Sequence, residues 1–221
     1  MRGAIRYIIT SVILSTISVT IHAQQAFVEG TLVYSVKLEP SPTDAGNAGV
    51  HNGMYIITIK GKQLRKEFKL DNDFDNAIIL NGDANTAYSL KVTQGKKYAI
   101  QLDAGELLGR TKNYENFRIE DGGGASTIAG LPAQKGKITY KDGSSADILY
   151  SKEWKPADDY LFEHFPSING LPLDFTYKVE NGSLIHFHAE KVEPGIVESS
   201  IFRLPKDYKI ISTSEYSQLI K

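Results

Sequence analysis

The chain has 221 residues, no cysteine and a formal net charge of −1, with acidic and basic side chains both scattered along it. Without cysteine there are no disulfides, zinc ribbons or thiol nucleophiles, and no lipid-modified N-terminal cysteine. No basic stripe of the kind that nucleic-acid binding requires is present either.

Residues 1–23 read as an export signal. Arg2 and Arg6 form a positive start, residues 7–21 are apolar or small, and Ile21-His22-Ala23 offers a cleavage site after Ala23. The apolar run is too short and too rich in Ser and Thr to span a membrane comfortably. No transmembrane segment is expected once the signal is cleaved. Residues 24–221 then form one expected domain of net charge −3, long enough to bury roughly 70% of its unfolded surface. The expected destination is the periplasm of a Gram-negative bacterium, or secretion beyond it.

The dominant period after residue 24 is two. In FVEGTLVYSVKL (27–38), Val28, Gly30, Leu32, Tyr34, Val36 and Leu38 fall on one side, with Glu29, Thr31, Ser35 and Lys37 on the other, which predicts a half-buried strand. Segments 39–53 and 119–127, rich in Gly, Pro and Asn, read as loose loops. Residues 54–60 and 62–70 flank Gly61 as a hairpin, and 76–81, 86–92 and 97–102 continue an antiparallel meander through Gly- and Asn-containing turns. Short helices are expected at Asp103–Glu106 and 158–165, and after the capping box Ser212-x-x-Glu215. Two more hairpins follow from the Asp-Gly between 135–140 and 146–151 and the Asn-Gly between 173–179 and 183–192.

The phrases Ile128-Ala129-Gly130-Leu131-Pro132 and Ile168-Asn169-Gly170-Leu171-Pro172 each lead into a Thr-Tyr-Lys strand. Their offsets to that strand differ, so they are not a solenoid or propeller repeat. Gly relaxes φ and Pro lacks an N–H, which suits both phrases to strand entrances.

Motifs for chemistry are weak. Asp71, Asp73 and Asp75 begin like a calcium loop, but Asn76 and Gly82 stand where that loop needs Gly and Glu. His186, His188 and Glu190 alternate toward one side of a strand, as two metal ligands would, or as an ordinary solvated face would. Gly122–Gly124 lacks the ending of a phosphate loop, and there is no G-x-S-x-G nucleophile turn. Asn181-Gly182-Ser183 fits a glycosylation sequon at a turn where Asn-Gly is expected anyway. No cofactor and no catalytic residue is assigned.

Aromatics are the remaining signal. Trp154, Tyr160, Phe162, Phe165, Phe175, Tyr177 and Phe187 gather around the second Gly-Leu-Pro, as ordinary core or as the lining of an apolar cavity.

Val28-Glu29-Gly30-x-x-x-Tyr34, the hairpin from Tyr55 to Arg65, Ile128-Ala129-Gly130-x-x-Ala133, Gly170-Leu171-Pro172-Leu173 and Phe202-x-x-Pro205-x-x-Tyr208 together resemble LolA-like secreted proteins of uncharacterised function, including distant GLPGLI-family relatives. After Gly170-Leu171-Pro172 the chain departs from that family's Gly-Leu-Ile. The resemblance implies a mainly β fold, a curved antiparallel half-barrel with a few short helices capping its concave face. It also implies a non-enzymatic binder of an apolar ligand such as an acyl chain or lipoprotein moiety. An interior arginine governs opening in the carriers, but Arg65 shares its face with Gln63, Glu67 and Lys69 and reads as solvated. The alternatives are a cell-envelope protein-interaction module with a filled core and, third, a metal-dependent enzyme using His186 and His188.

Overall fold

The structure is a computed structural model that describes residues 24–41, 49–72, 74–103, 107, 114, 116–158, 161–179 and 181–220. The expected export signal and most of the helix expected from Asp103 lie outside these residues.

The fold is mainly β. In chain order the strands are β1 (Gln25–Phe27), β2 (Glu29–Glu39), β3 (His51–Lys60), β4 (Gln63–Leu70), β5 (Asp75–Asn81), β6 (Thr86–Thr93) and β7 (Lys96–Leu102). There follow β8 (Arg118–Ile128), β9 (Leu131–Thr139), β10 (Ser145–Ser151), β11 (Trp154–Pro156), β12 (Leu171–Lys178), β13 (Leu184–Pro194) and β14 (Lys209–Ser212). Twelve of them form one sheet in the order β14-β7-β6-β5-β4-β3-β2-β13-β12-β10-β9-β8, while β1 and β11 pair separately. The large sheet is antiparallel except where β14 runs parallel to β7.

The expected half-barrel needs correcting. The sheet is open, ending in β14 and β8, and it neither closes nor curls. Helical caps over a concave face are also not found among the described residues. The C-terminal helix α1 (Thr213–Leu219) has the predicted reciprocal Ser212–Glu215 box, but it buries none of its residues. Among the described residues of 158–165 no α-helix is found; Leu161, Phe165 and Ile168 each bond back three residues, giving successive turns. Pro166 disfavours helical backbone at Phe165, which explains why no longer helix propagates.

Segment 119–127 is strand rather than loose loop. It is the exposed edge strand β8, paired to β9 with register shifts around Gly123. A strand with solvent on both faces carries no apolar alternation, so its period was invisible. Of the other predicted loop, 39–53, residues 42–48 lie outside the described set; its ends belong to β2 and β3.

One side of the sheet carries the main core, where Leu32, Tyr34, Ile57, Leu64, Ile138, Ile148, Leu173, Phe175 and Phe187 meet Leu161, Phe162, Phe165 and Ile168 of the covering segment. On the other side, Leu204 and Tyr208 pack on Ala77, Ile79, Leu90 and Ala99. Arg65 points to this second side, half-buried, bonded to Glu67 and the carbonyl of Ile201 rather than merely solvated. Val28, expected inward, is exposed, and the inward row begins at Gly30.

The two Gly-Leu-Pro phrases enter β9 and β12 as expected, but their glycines do different work. Ala129 and Gly130 are both left-handed, with φ of 49° and 78°, and form the two-residue turn between β8 and β9. Gly170 instead lies against the fully buried Tyr150; a Cβ there would overlap Tyr150 Cδ2 and stand 2.9 Å from the Ser151 carbonyl oxygen. Gly170→Ala is therefore expected to destabilise by about 1–3 kcal/mol through overpacking, and Gly130→Ala by about 1 kcal/mol through backbone strain. Urea unfolding of both variants checks this; a larger loss at Gly130 contradicts it.

Candidate functional site

β12 and β13 pair with Phe175 opposite Phe187 and Asp174 opposite His188. Strand alternation then sends the phenylalanines inward and the polar groups outward. Phe175 and Phe187 stack with ring centroids 4.9 Å apart and planes within 10°. Tyr177 continues the row at 5.4 Å from Phe187. The covering segment closes onto this row edge-on, Phe165 at 5.1 Å and Phe162 at 6.1 Å from Phe175. From the opposite direction Tyr55 meets Phe187 at 5.3 Å, and Phe68 meets it at 6.3 Å.

These rings surround a half-open cavity of about 100 Å³, completed by Leu161, Lys66, Glu163 and His164. Of the aromatic residues named from the sequence, Phe162, Phe165, Phe175, Tyr177 and Phe187 line this cavity. Trp154 does not join them: it lies on β11, edge-on to Phe27 at 5.8 Å. Tyr160 lies outside the described residues.

Sequence reasoning missed Tyr55, Phe68, Lys66 and His164. Tyr55 shares the parity of the inward Ile57 and Ile59, and Phe68 that of Leu64, so strand alternation alone pointed to both. Lys66 lies in the same row and is 8% exposed, a position that a lysine occupies only with a partner. Its Nζ donates to Glu163 Oε1 at 3.3 Å, tying β4 to the covering segment.

His164 stacks on Tyr177 at 3.9 Å, and its backbone carbonyl accepts the Tyr140 hydroxyl at 3.2 Å. Burial pulls its imidazole pKa down to about 4, with Lys66 adding to the fall and Glu163 opposing it. Burial likewise raises the phenols of Tyr55 and Tyr177. At neutral pH the wall is therefore uncharged apart from the Lys66–Glu163 pair. It can desolvate an apolar group beside one internal ion pair.

On the outer face His186 Nε2 and His188 Nδ1 converge on Asp174, at 3.0 and 2.6 Å. The two histidines do share a side, as predicted, but Asp174 is their common partner. Among the described residues no group of three or more His, Asp or Glu side chains is placed to hold a metal ion. A separate open groove of about 720 Å³ runs past Tyr140, Asp142, Asp147 and Lys178 and is also lined by His164 and Tyr177. Among the described residues no helix is long and apolar enough to cross a membrane.

No protein-family model matches the chain, and no curated protein matches it in sequence. Its fold is distantly similar to several solved structures. The MucA/MucB complex of Pseudomonas aeruginosa aligns with a TM-score of 0.40 and 11% identity, covering 82% of this chain and 58% of that one. The lipoprotein LppX of Mycobacterium tuberculosis gives 0.39 and 8%, covering 77% and 89%. A β-barrel-like protein of domain family DUF1849 from Brucella abortus gives 0.33 and 10%, covering 76% and 98%. The chain thus spans less than two thirds of the first of these. At such distances the functional reading rests on the cavity itself.

The buried imidazole sets a pH dependence. With a folded pKa near 4 against 6.5 unfolded, the unfolded chain takes up the proton first as pH falls. His164 thus contributes stability above pH 6.5 that is lost as pH falls through about 4. Discounted for partial exposure of the ring, the loss is on the order of 2 kcal/mol. Urea unfolding at pH 7 and pH 4 is expected to show His164→Phe losing less stability than the wild type by that amount. Equal losses contradict the assignment.

Proposed function

We propose that the protein is an exported, single-domain, non-enzymatic binding protein. Its ligand is apolar, an acyl chain or the acyl moiety of a lipoprotein, and one end of that ligand enters the cavity between the Phe175–Phe187 stack and residues 161–165. The observation that carries this reading is the cavity: aromatic rings from β3, β4, β12, β13 and the covering segment converge on it, with one ion pair in its wall. The sequence resemblance to LolA-like secreted proteins supports the same reading.

Volume limits what enters. An apolar cavity of about 150 Å³ admits benzene, and sites for larger ligands run to roughly 300–1,000 Å³. About 100 Å³ takes one end of such a ligand, and a longer insertion requires the covering segment to lift. The same small volume favours a second reading, an envelope interaction module whose aromatic row is simply filled core, with Phe175 and Phe187 only 4% and 2% exposed.

Mass spectrometry of the natively purified, then denatured protein separates the two. The first reading expects a co-purified acyl compound, together with uptake of a nonpolar fluorescent dye that added lipid displaces. Absence of both leaves the filled-core module.

A further inference from the structure

Lys66 occupies an unusual place. Strand β4 alternates, and its inward row reads Leu64, Lys66, Phe68, so an ammonium stands where the neighbouring positions are apolar. Taking a cation out of water is costly unless an anion accompanies it. One such anion is Glu163, and the two partners are not equally committed. The Lys66 side chain is 9% exposed, whereas that of Glu163 is 29% exposed. Glu163 can turn outward and be hydrated; Lys66 cannot without leaving its row.

Both groups line the aromatic cavity, and among the described residues of that lining Lys66 is the only cation. His164 next to them is neutral at pH 7, and the Tyr55 and Tyr177 hydroxyls remain protonated. An apolar molecule entering the cavity therefore meets rings on most sides and a single ammonium.

We infer that the ligand of this cavity is an apolar carboxylate, its head group taking the place of Glu163 at Lys66 and its chain lying over Phe187 and Tyr177. The inference rests on the binding function proposed above and narrows it to a chemical class. The exchange replaces one carboxylate by another at the same ammonium, so Lys66 is never left buried without a counter-ion, and the Glu163 charge moves into water. A neutral head group gains nothing at Lys66. A cationic one is repelled.

The test compares octanoate with 1-octanol by isothermal titration calorimetry at pH 7, on the wild-type protein and on Lys66→Met and Glu163→Gln variants. The wild type is expected to bind octanoate about tenfold or more tightly than octanol, as a charge-assisted contact requires. Lys66→Met is expected to abolish that preference while leaving octanol affinity within about twofold. Glu163→Gln, which removes the competing carboxylate, is expected to tighten octanoate severalfold and leave octanol unchanged; this arm stands even if Lys66→Met fails to fold. Equal wild-type affinities for the two compounds, or a preference that survives Lys66→Met, overturn the inference and leave the apolar-ligand reading intact. If neither compound binds the wild type, that reading falls with it.

Discussion

The cross-strand contact of Phe175 with Phe187 is the interaction on which the rest of the site depends. It fixes the register of β12 against β13, because a one-residue slip would turn Asp174 and His188 inward. With the register set, the rings at 175, 177 and 187 form one inward row, and Asp174, His186 and His188 form a hydrogen-bonded group outside. Tyr34 on the neighbouring β2 packs against the same row, 5.9 Å from Phe175, and its buried hydroxyl donates to the Pro172 carbonyl at 2.8 Å. Strand entrance, ring row and covering segment are thus held by one set of contacts.

The covering segment is the less regular partner. Residues 161–168 are joined by three-residue turns and contribute Leu161, Phe162, Phe165 and Ile168 to the core. Its polar ties to the sheet include the Lys66–Glu163 pair and the hydroxyl of Tyr140 on the His164 carbonyl. Apolar contact supplies most of its hold, which is non-directional, while these polar ties select its position.

Much of this was legible in the sequence because the hairpins are local. Gly61, Gly143 and Gly182 lie in the turns where Gly was expected, and the strands they join follow the alternation of the sequence. What was not legible depends on contacts between distant segments. β14 pairs with β7 in parallel, β1 pairs with β11, and the edge strand β8 lacks any apolar face. The aromatic cluster was readable as a group, yet nearness in sequence misplaced Trp154, which packs on Phe27. Lys66 was hidden for a different reason: a lysine among alternating charges reads as solvent-facing until burial is known.

Aromatic-ring NMR of the protein, titrated with an acyl carboxylate, tests the central claim most directly, because it reports where a ligand sits. The account predicts shifts concentrated on Phe165, Phe175, Tyr177 and Phe187, with Trp154 and the outer-face His186 and His188 unmoved. Shifts confined to the outer face or to the groove by Tyr140, or none at saturating ligand, contradict it.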